Sequence, residues 1–261
     1  MKKLVSRSLV TIIAILIVAG VVYSKYPAYV DKAKTMLGIP VRTGILAEKN
    51  LYSFWNVELN IRDFFQDRQG GFFVDVGCAW PIKASNTYYL EKHLGWTGIG
   101  IDALNDYAAA WKEKRPNSKY FNFLVTKNSE GSGKFYKSER IGFSSTKLEV
   151  ADGTEFVGGG VKTEEIQVPK VCLNDLFDRE GIKKIDLLSI DIEGHELEAL
   201  LGLDLERFSP ELIVAESFKV EDEVTKYLNK YGYQKIQRYA PFDKFNTYYC
   251  RKQEPVATPS N

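Results

Sequence analysis

Short apolar runs alternate with stretches of helical spacing along most of the chain. Gly71–Gly77 (GFFVDVG) is apolar at consecutive positions and ends in turn residues, the pattern of a strand buried on both faces. Thr97–Asp102 (TGIGID), Tyr120–Val125, Ile185–Asp191 (IDLLSID) and Glu211–Glu216 (ELIVAE) repeat it. Between and around them, the spacing predicts helices over Leu59–Arg68, Ser85–Leu94, Asp106–Lys114, Leu173–Arg179, Glu196–Leu203 and Asp222–Tyr231. Gly95 stands where a helix over Ser85–Leu94 has to stop. Residues 128–170 break the alternation; with GSG, GFSS and GGG they read as irregular. Two closing strands, near Gln234–Tyr239 and Thr247–Arg251, predict a terminal hairpin. Strands alternating with helices, each strand apolar throughout, predict an α/β fold: a mostly parallel sheet covered on both faces.

The N-terminus follows another pattern. Ser8–Ser24 (SLVTIIAILIVAGVVYS) carries no charge, with Lys2, Lys3 and Arg7 before it and Lys25 after. As a helix it spans roughly 26 Å, close to the ~30 Å of a bilayer core. Residues 1–24 are therefore expected to be a transmembrane anchor. A cleaved signal peptide is the rival, but a small-x-small site before Lys25 is not clear. Pro27, Gly38, Pro40 and Gly44 mark 25–50 as a juxtamembrane linker, 51–252 as a single globular domain and 253–261 as a disordered tail.

Composition changes the picture little. Hydrophobic residues make up 44% and charged residues 26%, an ordinary globular balance, and the net charge of +1 lacks the basic footprint of a nucleic-acid binder. Cys78, Cys172 and Cys250 are odd in number and lack metal-type spacing, so buried thiols are expected.

In parallel sheets of this kind, ligands bind beyond the carboxyl ends of the strands. Four predicted strand ends carry carboxylates: Asp75, Asp102, Asp191 with Glu193, and Glu216. Gly77 allows a tight turn under a ligand. Asp102, 27 residues after Asp75, is placed either to accept the ribose hydroxyls of a nucleoside or to cap the next helix. A dinucleotide fingerprint is absent, since Gly77-Cys-Ala-Trp-Pro-Ile-Lys has no second or third glycine. Ser189-Ile-Asp-Ile-Glu-Gly-His-Glu196 is the densest polar cluster. It suits a cationic cosubstrate, proton removal from a hydroxyl, or a divalent ion held by Asp191, Glu193 and His195; a capped helix start explains the same residues.

Those motifs resemble the FkbM family of methyltransferases. The matching residues are FFVDVG (72–77), SNTYYLEKHLGWTGIGID (85–102), FSS (143–145), VPKVCLNDLF (168–177) and KIDLLSIDIEGHELEALLGLD (184–204), followed by PELIVAES, all in order between about Leu51 and Arg251. The resemblance implies a Rossmann-like, doubly wound, mostly parallel seven-stranded sheet with a C-terminal antiparallel hairpin. It implies S-adenosylmethionine as cofactor and O-methylation of a sugar, glycan or other small metabolite. Asp75, Gly77, Asp102 and Asp191 are then the cofactor-binding residues, His195, Asp191 and Glu193 the catalytic ones, and no metal is expected. The residues 143–145, within the 128–170 insert, are placed to supply a lid or acceptor pocket. Many family members have Ala-Asn and a further glycine where this chain has Cys78-Ala-Trp-Pro81, so a non-catalytic, membrane-tethered binding module is the alternative. A cosubstrate made in the cytosol places the catalytic domain on the cytoplasmic side.

Overall fold

The computed structural model describes residues 27–140, 142–216 and 220–251. The chain divides into two compact units, residues 1–47 and 48–261. In the first unit, α1 (Pro27–Met36) and a 3-10 turn at Gly44–Ala47 occupy much of the expected linker. The expected anchor over 1–24 and tail over 253–261 lie outside the described residues; among the described residues no helix is long and apolar enough to cross a membrane.

The second unit runs α2 (Val57–Phe65), β1 (Phe72–Val76), α3 (Tyr88–Leu94), β2 (Thr97–Asp102), α4 (Ala108–Lys114), β3 (Ser118–Asn122), β4 (Leu124–Val125) and β5 (Ser132–Ser138). It continues through α5 (Leu148–Ala151), α6 (Thr154–Val157), β6 (Thr163–Val171), α7 (Leu173–Glu180), β7 (Leu187–Ile190), α8 (Glu196–Leu201), β8 (Leu212–Glu216), α9 (Glu221–Asn229), β9 (Tyr233–Lys235) and β10 (Asn246–Arg251).

Seven strands form one sheet in the order β3-β2-β1-β7-β8-β10-β9. The first five are parallel neighbours, and β10 runs antiparallel between β8 and β9. The chain winds outward from β1 to β3, then returns to the other side of β1 at β7. That reversal makes β1/β7 the switch point, where a crevice opens at the carboxyl ends. Along β1 the pleat sends Val74 and Val76 into a core shared with Leu176, Phe177 and Leu200, and Phe73 and Asp75 to the opposite side. Cys78, Cys172 and Cys250 are buried free thiols, as expected.

Three expectations need correction. Tyr120–Val125 is not one strand: Asn122 ends β3, Phe123 donates its N–H to the Asp102 carbonyl, and β4 leaves for another sheet. Residues 128–170 are not irregular: β5 pairs antiparallel with β6 from Ser132↔Pro169 to Ser138↔Thr163, and β4 joins β6 on its other side. The glycines that suggested irregularity stand largely in turns, with positive φ at Gly131, Gly142, Gly153 and Gly158–Gly160. Finally, α3 starts at Tyr88, because the Ser85 hydroxyl accepts the Tyr88 N–H while Asn86 and Thr87 bond to other strands' residues.

Candidate active site

β1 ends against β7, and Gly77 is what lets it. Its φ is +81°, its N–H donates to the Ile101 carbonyl at 2.8 Å, and a Cβ there would lie 1.8 Å from the Asp191 carbonyl oxygen. Two residues before it, the buried Asp75 accepts the Thr87 hydroxyl at 2.7 Å. Thr87 in turn accepts from Arg115 at 3.1 Å. Burial pushes the Asp75 carboxyl up to about 6, opposed by Thr87 and Arg115.

Arg115 is fully buried and ties this corner together. It donates to Glu91 at 2.5 Å, to the Pro81 carbonyl at 3.0 Å and to the Ser85 hydroxyl at 3.3 Å. The Trp111 indole donates to the Ala79 carbonyl at 2.8 Å. The unusual Cys78–Pro81 loop is thus pinned at two carbonyls. Trp80 stands in the wall of the cavity, edge-on to Tyr107 with ring centroids 5.7 Å apart.

Asp102 ends β2. Its Oδ2 accepts the Ala79 N–H at 3.0 Å and its Oδ1 the Leu104 N–H at 2.8 Å, closing the turn after β2 while the residue stands in the cavity wall; it does not cap the next helix. Burial raises this carboxyl to about 6, against the pull of the two backbone donors. Each carboxylate oxygen keeps a free lone pair after accepting one N–H.

The turn after β7 is held from within. Glu193 and Gly194 take φ of +57° and +91°, and the buried Glu196 Oε1 accepts the N–H groups of Ile192 and Gly194, both at 3.1 Å. Burial pushes Glu196 up to about 7, and its Oε2 is buried without a hydrogen-bond partner. Asp191, Glu193 and Glu216 each bring an oxygen within 4.8 Å of the others. Asp191 and Glu216 are hydrogen-bonded, and burial beside Asp191 drives Glu216 well up, so the pair shares a proton. His195 does not join this group, which corrects the ion-binding set expected from sequence: Glu216 stands in its place. Burial lowers the His195 imidazole below its ordinary value, and its Nε2 is buried without a partner.

Every candidate residue lines one cavity of about 440 Å³: Asp75, Gly77, Asp102, Asp191, Glu193 and His195, and Glu216 with them. Among the described residues five carboxylates line it without a lysine or arginine, so its field favours a cation. Gly142, Phe143 and Ser144 from the insert complete one side. Sequence reading missed Phe54 and Trp55 before α2, and Phe245 and Asn246 at the start of β10. Trp55 and Phe245 meet with centroids 4.4 Å apart. The only signal was a pair of large aromatics outside any apolar run.

Comparison with known proteins adds three findings. A family model described as the methyltransferase FkbM domain matches residues 75–235. No curated protein matches the chain. A crystal structure from Plasmodium falciparum, described as a ribosomal RNA methyltransferase, is similar at 11% identity with a TM-score of 0.43, over 78% of this chain and 99% of that one.

Proposed function

The chain belongs to the FkbM methyltransferase family, and from that premise we propose that it transfers the methyl group of S-adenosylmethionine to a hydroxyl oxygen of a sugar, glycan or other small metabolite. The observation that carries the reading is the acid-lined cavity at the β1/β7 switch point, where the carboxylates of four strand ends converge over the Gly77 turn. Bound there, the cosubstrate would supply an electrophilic methyl on a sulfonium. A cationic, phosphate-free nucleoside suits a cavity with five carboxylates and no pyrophosphate-binding glycines.

In this reading Asp102 accepts the ribose hydroxyls through its free lone pairs, and Gly77 and Asp75 shape the floor. Asp191 lies beside the methionine portion and the methyl. The bound cosubstrate would supply a methyl carbon that the acceptor oxygen takes as the sulfur leaves as a thioether, so aligning the acceptor would be the main demand on the protein. The hydroxyl proton passes to His195 Nε2, which burial keeps neutral and able to accept near pH 7. Glu193 and the protonated Glu216 position the acceptor. The apolar run Ser8–Ser24 is proposed to anchor the chain, with this domain facing the cytoplasm. Equal rates on soluble and membrane-bound acceptors would remove the purpose of such an anchor.

Calorimetric titration of S-adenosylmethionine into the full-length chain tests the reading. Micromolar binding is expected, weakened at least tenfold (~1.4 kcal/mol) by Asp102→Ala. A folded chain that binds no cosubstrate would instead be a binding module on a methyltransferase scaffold.

A further inference from the structure

A smaller cleft of about 290 Å³ opens beside the main cavity, and the two share Leu124, Thr146 and His195. Their charges are opposite. Among the described residues the charged side chains of the cavity are carboxylates, whereas the cleft brings Lys127, Lys134 and Lys170 with one carboxylate, Glu198. Lys127 takes up Glu198 at 3.4 Å, and Lys134 reaches the exposed Glu165 at 3.0 Å. Among the described residues Lys170 forms no ion pair.

The fold concentrates these lysines. Lys134 and Lys170 stand on β5 and β6, and Lys127 follows β4, so three strands of the small sheet each deliver one. A Cβ at Gly133 would lie 2.6 Å from Leu124 and 3.3 Å from the Lys170 Cε; its absence leaves room for the lysine stem. His195 lines both spaces, and its Nε2 is buried with no hydrogen-bond partner among the described residues. Leaving such an atom buried and unpaired is costly, and a ligand group there would relieve it.

We propose that this cleft receives a phosphate group of the methyl acceptor, making the substrate a phosphorylated hydroxy compound whose hydroxyl reaches the acidic cavity past His195. The lysines of the cleft act as separate point charges, and several of them together match the charge of a phosphate dianion better than that of a single carboxylate. With a net charge of +1 for the whole chain, the basic character is a local patch, sized for one phosphate group rather than a polynucleotide track. The proposal rests on the methyl-transfer reading for the fate of the hydroxyl; phosphate binding itself does not.

The chain has two histidines, which makes the test direct. In full-length protein isotopically labelled at histidine, His195 reports on the cleft and His93, bonded to the Tyr52 hydroxyl at 3.1 Å, serves as the control. Titration with inorganic phosphate, at ionic strength held constant with chloride, is expected to shift the His195 resonance and leave His93 in place. The double variant Lys134→Gln/Lys170→Gln is expected to weaken phosphate binding at least tenfold. Lys119→Gln, an exposed lysine paired with Glu180, is expected to leave it unchanged. A His195 resonance that stays put, or equal affinity in the double variant, overturns the proposal. So does an oligouridylate that binds where inorganic phosphate does not, since the lysines would then serve an RNA acceptor. Adding S-adenosylmethionine to the same samples separates the failures. Cosubstrate binding without phosphate binding removes the cleft proposal alone, and phosphate binding without cosubstrate binding removes the methyl-transfer reading alone.

Discussion

At the scale of single residues, the closest approach in the site is between a missing side chain and a carbonyl. Gly77 faces the Asp191 oxygen across a gap that a methyl group would overfill, in a left-handed conformation that already disfavours other residues. Gly77→Ala is expected to cost on the order of 3 kcal/mol or more. Thermal unfolding should show it as a loss of about 6–12 °C for a domain of this size; a loss under about 2 °C would mean that the β1 loop and the β7 end are free to separate. Gly77, Asp75, Asp102, Asp191 and Glu193 were legible in sequence because each stands at the end of an apolar run, where chain pattern and ligand geometry coincide. Arg115, in a charged KEKRPN stretch, was not. Its burial depends on partners 24 to 34 residues away, which no local pattern records.

Among elements, Arg115 is the joint between α4, the start of α3 and the loop after β1. Removing it takes the counter-charge from the buried Glu91, which keeps the Asn117 N–H and the Ser118 hydroxyl, and frees the Pro81 carbonyl and the Thr87 hydroxyl together. Arg115→Met is expected to destabilise the protein by about 3–5 kcal/mol, and adding Glu91→Leu to recover part of that, since an unpaired buried charge costs more than an absent pair. Chemical denaturation of the single and double variants measures both, and a double variant no better than the single would show that the backbone contacts, not the charge, carry the loss. The same scale explains where the sequence misled. β1, β2, β7 and β8 are largely apolar because both faces are covered, so they announce themselves. β5 and β6 have one half-exposed face and lie among turn glycines, so their alternation was lost in the glycine signal. The strand after α4 was read as continuous because periodicity is blind to a change of partner at Phe123.

For the molecule as a whole, the acid-lined cavity sets a balance between stability and pH. Asp75 and Asp102 titrate near 6 and Glu196 near 7 in the folded state, all raised by burial above the ordinary value near 4. Over that interval the folded state holds protons that the unfolded state has released, so stability falls as pH rises through it. Asp191, raised to about 6, and Glu216, raised to about 11, act in the same direction; His195, lowered by burial, opposes them, one group against five. The melting temperature of the ligand-free protein is therefore expected to fall from about pH 5 to about pH 8. S-adenosylmethionine, whose sulfonium compensates the ionised carboxylates, should restore more at the upper end than at the lower. Scanning calorimetry at a series of pH values decides it; a melting temperature that rises over the interval would mean that these carboxylates are solvated. The order of the sheet carries a different consequence, for how the protein is made. β10 sits between β8 and β9, both of which precede it in the chain. A growing polypeptide thus leaves the ribosome with two strands awaiting the one that joins them, each exposing an unpaired edge. Until residues 246–251 are free to pair, both edges stay open to pairing with other chains. A message truncated before that codon should yield a degraded product rather than a weakened enzyme.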